Sequence, residues 1–106
     1  MPVRPGPHSL RFMTTGGAEL FLVEHRLPKI TESELALFQA ALAHACVRLT
    51  ARGQSVHYLG SMFLPRPERL LSLFRATSAD AVRRVCESSQ APTVGLDIAI
   101  ELPAPH

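Results

Sequence analysis

The segment Glu19–Leu35, ELFLVEHRLPKITESEL, constrains the fold more than any other part of this 106-residue chain. Leu20, Phe21, Leu22 and Val23 form an apolar run bounded by Gly16-Gly17 and Pro28. That run is too short for a helix and has the length of a buried strand. Thr31, followed three residues later by Glu34, is a capping box, in which each side chain satisfies the other's free backbone N–H at a helix start. A strand therefore ends, turns at Pro28 and launches a helix. Glu24 closes the apolar run with a carboxylate, which makes the strand end a candidate site.

Beyond the cap, Leu35, Phe38, Leu42, Ala45 and Leu49 recur at helical spacing as far as Gly53. Residues 55–64 and 70–75 read as two strands joined by a proline-stiffened connection, Pro65 to Arg69. Thr77 and Asp80 are expected to cap a second helix with Ala79, Val82, Val85 and Cys86 on its apolar face. A last strand over 94–102 alternates Val94, Leu96, Ile98 and Ile100 with Gly95, Asp97, Ala99 and Glu101. The order predicts an α+β, ferredoxin-like βαββαβ fold: a four-stranded antiparallel sheet with both helices on one face. The domain is expected to span 19–102, after a Pro/Gly-rich arm over 1–18 and before a short tail over 103–106.

This topology leaves one sheet face open. Its central strands, the first and third, are apolar on both sides, and each Leu left in water forgoes about 1.5 to 3 kcal/mol of burial. A second copy of the same sheet is the expected cover, giving a homodimer of the dimeric α+β barrel kind around a shared cavity.

Composition narrows the partners. A net charge of +2 with scattered Lys and Arg, and few aromatic residues, argues against nucleic acid. No run approaches the ~20 apolar residues of a membrane helix, and the first ten residues have no signal-peptide core, so a cytoplasmic protein is expected. Cys46 and Cys86 lack Cys-x-x-Cys spacing and read as small buried hydrophobes in a reducing compartment.

Val23-Glu24, Leu27-Pro28, Ile30-Thr31, Glu34-Leu35, Tyr58-Leu59 with Ser61, Leu73-Phe74 with Ala76, and Ser78 with Ala81-Val82-Arg83 together resemble a family of small bacterial ferredoxin-like proteins of unassigned function. The resemblance covers roughly residues 20–101. It implies a dimeric α+β barrel and, because one member is described as nickel-binding, a divalent metal, nickel, as a possible cargo. The chain departs from the family pattern at Ser72, where a cysteine is common, and around Arg75 and Thr77.

Sorting each strand by its more polar alternation assigns Leu20, Leu22, Glu24, Ser55, His57, Leu59, Ser61, Leu70, Ser72, Phe74, Asp97 and Glu101 to the open face. Glu24, His57, Ser61, Ser72 and Asp97 would then be the polar groups of a mostly apolar ligand pocket, with Glu24 and His57 as metal ligands. Under a second reading Glu24 and His57 act as acid and base in a cofactor-independent isomerase, cyclase or oxygenase. Under a third the domain is an interaction module that uses its arm as a docking strap. No phosphate loop, nucleophile elbow or histidine pair at metal spacing is present.

Overall fold

The computed structural model describes residues 17–90 and 92–105. Strands β1 (Glu19–Arg26), β2 (Val56–Pro65), β3 (Glu68–Ala76) and β4 (Thr93–Ala99) and helices α1 (Glu32–Ala51) and α2 (Ala79–Ser89) follow the order β1-α1-β2-β3-α2-β4. They build one four-stranded antiparallel sheet ordered β2-β3-β1-β4, the ferredoxin-like arrangement predicted from the pattern. Of the arm expected over 1–18, only Gly17 and Ala18 fall among the described residues.

The capping box is formed: Thr31 Oγ1 accepts the Glu34 N–H at 3.1 Å, and Glu34 Oε1 accepts the Thr31 N–H at 3.0 Å. α1 stops where Gly53, at φ 97°, takes a left-handed turn that an L side chain would strain, and its N–H returns to Thr50 O. α2 is capped by Ser78, whose Oγ accepts the Ala81 N–H at 3.1 Å, and not by Thr77 as expected. The β2–β3 hairpin is tighter than expected, with Pro65 pairing Glu68 across Arg66-Pro67.

The core lies between sheet and helices. Phe21 and Val23 of β1, Val56 of β2, and Leu70, Phe74 and Ala76 of β3 pack against Leu42, Ala45 and Cys46 of α1 and Ala81, Val82, Val85 and Cys86 of α2. At about 25 cal/mol per Å² of apolar surface, this single layer supplies most of the stabilisation available to so small a domain. β4 ends at Ala99, short of the expected Leu102, and register places Leu96 and Ile98 on the helix side. Only Leu96 packs on the core. Ile98 is 62% exposed because the helices lean over β2 and β3 and leave the β4 edge uncovered. Val94 sits at a register shift in the β1–β4 ladder.

Cys46 and Cys86 are free and buried, each 3% exposed, and burial pushes both thiols up to about 11. Thiolate is the reactive form, so at pH 7.5 the folded protein is expected to react with a thiol reagent at least 100-fold more slowly than the chain in denaturant. Cys86, which borders a 330 Å³ depression beside Thr93, should react first. Stoichiometric labelling within the mixing time under native conditions would contradict this placement.

Candidate functional site

Register fixes which residues share the open face. Its rows read His57, Arg75, Leu20, Ala99; then Gly60, Leu73, Leu22, Asp97; then Met62, Leu71, Glu24, Gly95; then Leu64, Arg69, Arg26. Leu22, Leu64, Met62, Leu71 and Leu73 thus form one apolar surface, with Met62 68% and Leu22 37% exposed, while Leu20 on the same side is buried at 9%. Glu24 lies within it, half-buried, with its Oε2 3.5 Å from Nη1 of Arg69. Its partner is the arginine one step diagonal on β3, and neither the adjacent Arg26 nor Arg75.

Glu24, His57 and Asp97 do share the open face, as expected, with Asp97 the diagonal neighbour of Glu24 across β1 and β4, yet His57 stands apart. His57 is two strands and four residues along from Glu24, a separation of about 16 Å. An acid and base on one substrate must lie within hydrogen-bond reach of it, directly or through one water, so one chain does not bring this pair together. Among the described residues no three His, Cys, Asp or Glu side chains gather as a metal would need. The described residues of one chain therefore do not by themselves fit the nickel site implied by the resemblance.

Ser61 and Ser72 are not on the open face. Ser72 pairs with Val23, is fully buried and faces the helices, together with Leu70 and Phe74. Sorting by polarity fails there because the polar side chain is the one inside. On β2 an irregularity between Tyr58 and Gly60, where Gly60 takes φ 142°, inserts a residue and resets the alternation. Tyr58 and Ser61 consequently share the helix side. There Gln39 Nε2 donates to Tyr58 Oη at 2.7 Å, Tyr58 Oη bonds Ser61 Oγ, and Ser61 Oγ meets Ser72 Oγ at 2.6 Å. This chain of hydrogen bonds satisfies Ser72 and ties α1 to β2 and β3, a packing role and not the ligand-binding one expected.

Sequence reasoning also passed over His25. It sits opposite Glu24 on β1, fully buried, its ring edge-on to Phe38 at 5.0 Å. Nε2 lies 3.4 Å from Thr93 Oγ1, while Nδ1 has no hydrogen-bond partner. Burial holds its pKa below the usual imidazole value. The signal was present in the strict alternation Phe21, Val23, His25, which continues the core face.

Phe38 also lines a cleft of about 720 Å³ at the end of the domain where β1 feeds α1 and α2 feeds β4. Its walls include Leu27, Ile30, Leu37, Ala41 and Pro92, with Arg26, Lys29 and Glu34 among them. Glu68 clamps the turn that forms one wall. Its carbonyl accepts the Leu27 N–H at 3.1 Å and its Oε1 accepts the Lys29 N–H at 2.8 Å, holding Lys29 at φ 60°. Leu37, 71% exposed on the first half of α1, is uncovered because it borders this cleft.

The chain matches no family model and no curated protein. Its structure is similar to that of SCO4226 from Streptomyces coelicolor A3(2), with a TM-score of 0.60 and 23% identity, covering 82% of this chain and 99% of that one. That likeness shows the fold alone. No helix among the described residues is long and apolar enough to cross a membrane.

Proposed function

We propose that this protein is a small-molecule binding protein that works as a homodimer, its two open sheet faces stacked on each other and an apolar ligand held in the cleft beside α1. The observation that carries the ligand is the cleft: about 720 Å³, mostly apolar, and within the ~300–1,000 Å³ range of ligand sites. The open face suits a different occupant. Leu22, Leu64, Met62, Leu71 and Leu73, on two central strands and an edge, form a broad surface that a flat partner sheet covers better than a small molecule does.

An enzymatic reading has less support, since Glu24 and His57 stand far apart and His25, the buried imidazole among the described residues, is not among the cleft's lining residues. A nickel ion held by the described residues would have to draw on ligands from both copies. Calorimetric titration with octanol tests the cleft. Binding of one octanol per chain is expected, with at least tenfold weakening in Ala41→Phe, whose ring takes up the space above Leu37 and Phe38. Equal affinity in both proteins, or no binding to either, would refute the assignment of the cleft.

A further inference from the structure

We infer that the outward face of α1 is a second self-association surface, on which α1 of another copy of this chain packs antiparallel. The contact is independent of the proposed ligand cleft, and it lies on the opposite side of the sheet from the stacked open faces.

A helix laid on a sheet ordinarily turns polar and charged side chains to water. α1 does so only at its ends. Leu35, Phe38, Leu42, Ala45, Cys46 and Leu49 take the sheet side. At about 100° per residue the opposite side carries Leu37, Ala40, His44, Val47 and Ala51, all of them exposed. The two large ones stand well out, Leu37 71% and Val47 67% exposed. Steps of three and four residues alternate along these positions, which is the spacing of a seam between two helices. Leu37 also borders the cleft, whereas His44, Val47 and Ala51 run beyond it.

The charges flanking this seam are of opposite sign at its two ends. Glu32 and Glu34 lie in the first turn, Arg48 in the last turn and Arg52 at the C-cap. No ion pair among the described residues engages any of the four. Glu34 stays ionised while its Oε1 accepts the Thr31 N–H, since these capping bonds favour the carboxylate. By helical spacing Glu34, Arg48 and Arg52 fall on one flank of the seam. A two-fold axis across the seam lays that flank against the same flank of the other copy with the ends exchanged. Leu37 then comes level with Val47 of the second copy, Ala40 with its His44, and Glu34 with its Arg48–Arg52 end. The helix dipoles also run opposed. A parallel pair would set Glu34 beside Glu34 and Arg48 beside Arg48. The face is thus complementary to itself in the antiparallel sense, and this selects a second copy as its occupant.

One helix face is small against the ~1,200–2,000 Å² of a stable interface, so the contact is weak and leaves the assembly unchanged at micromolar concentration. In a dimer with stacked open faces the two α1 helices lie on the outside, and contacts through them extend the assembly instead of closing it. Sedimentation equilibrium of the full chain should therefore show a mass that climbs past two chains towards about 1 mM, and Leu37→Glu/Val47→Glu should stop that growth.

Blocking the open face with Leu22→Glu/Leu73→Glu isolates the contact. That variant should pass from one chain at about 20 µM to two at about 1 mM and no further, because the α1 two-fold closes on itself. Adding Leu37→Glu/Val47→Glu, at exposed positions outside the core, should hold it at one chain throughout, with circular dichroism confirming the helices. Arg48→Glu in the same background sets a carboxylate against Glu34 of the other copy, and should weaken pairing about threefold in low salt and hardly at all in high salt. No association at about 1 mM, or association that persists with Leu37→Glu/Val47→Glu in place, overturns the inference. Unchanged pairing of the Arg48→Glu variant in low salt overturns the antiparallel arrangement. The stacking of open faces fails separately, if the wild-type chain is monomeric at micromolar concentration.

Discussion

Replacing Leu22 and Leu73 by glutamate is expected to halve the mass of the protein in solution under the proposed stacking of two open faces. The two residues are cross-strand neighbours at the middle of the open face, on the central strands β1 and β3, where stacked sheets would press hardest. In a two-fold dimer each substitution appears twice, so the double variant places four carboxylates inside one interface. Burying even one unpaired carboxylate costs several kcal/mol, and here four of one sign would face one another. Neither side chain belongs to the core under the helices, so the monomer should keep its fold and its helical circular dichroism. Light scattering at micromolar concentration should give the wild-type protein twice the 11.6 kDa of one chain and the variant a single chain. A monomeric wild-type protein, or a variant that stays dimeric, would rule out the stacked sheets.

The second large effect is on pH dependence, through His25. The ring is fully buried against Phe38, and among the described residues Nδ1 has no hydrogen-bond partner and no carboxylate bonds the ring. Around it stand Leu70 as its β3 neighbour, Thr93 of β4 as its β4 neighbour and Phe38 of α1, none of them charged. Burial lowers its pKa in the folded state, so the unfolded chain takes up a proton first as the solution is acidified. The stability due to neutral His25 is therefore complete above the ordinary imidazole value of about 6.5 and is lost as pH falls from there through the lower folded value. The slope cannot exceed about 1.4 kcal/mol per pH unit for one group. His25→Phe keeps an aromatic ring against Phe38 and removes the titration. Urea melts from pH 7.5 to 5 should show the wild-type protein weakening and the variant holding steady over the same range, apart from the common drift of the exposed groups. Parallel curves for the two proteins would mean that some other group carries the acid sensitivity.

The two effects lie on opposite faces of one strand, and this is why the sequence conveyed them unequally. β1 alternates Leu20, Leu22, Glu24 on one side with Phe21, Val23, His25 on the other, and both sides are apolar until the strand end. Polarity alone cannot tell which side the helices cover. Glu24 stands out as a charge in an apolar run, while the sequence leaves His25 open between the opposite face and the turn, although it is the one fully buried.

Local pattern was enough for the elements and their order. The Thr31–Glu34 box, the helical spacing of Leu35, Phe38, Leu42 and Ala45, and the Pro65 to Arg69 connection act over a few residues, and tertiary contacts did not override them. Given that order, right-handed crossovers leave few topologies, and the sheet β2-β3-β1-β4 followed. Face and depth were decided only by the assembled structure. The irregularity at Gly60 turned Ser61 inward, long-range pairing with Val23 and Ser61 carried Ser72 into the core, and the lean of the helices left Ile98 in solvent. The cleft, too, draws on β1, α1 and the segment before β4, parts of the chain more than fifty residues apart, with its β1–α1 turn clamped by Glu68 on a fourth. A side chain's chemistry is written locally, but its neighbours come from elsewhere in the chain, and a site is made of neighbours.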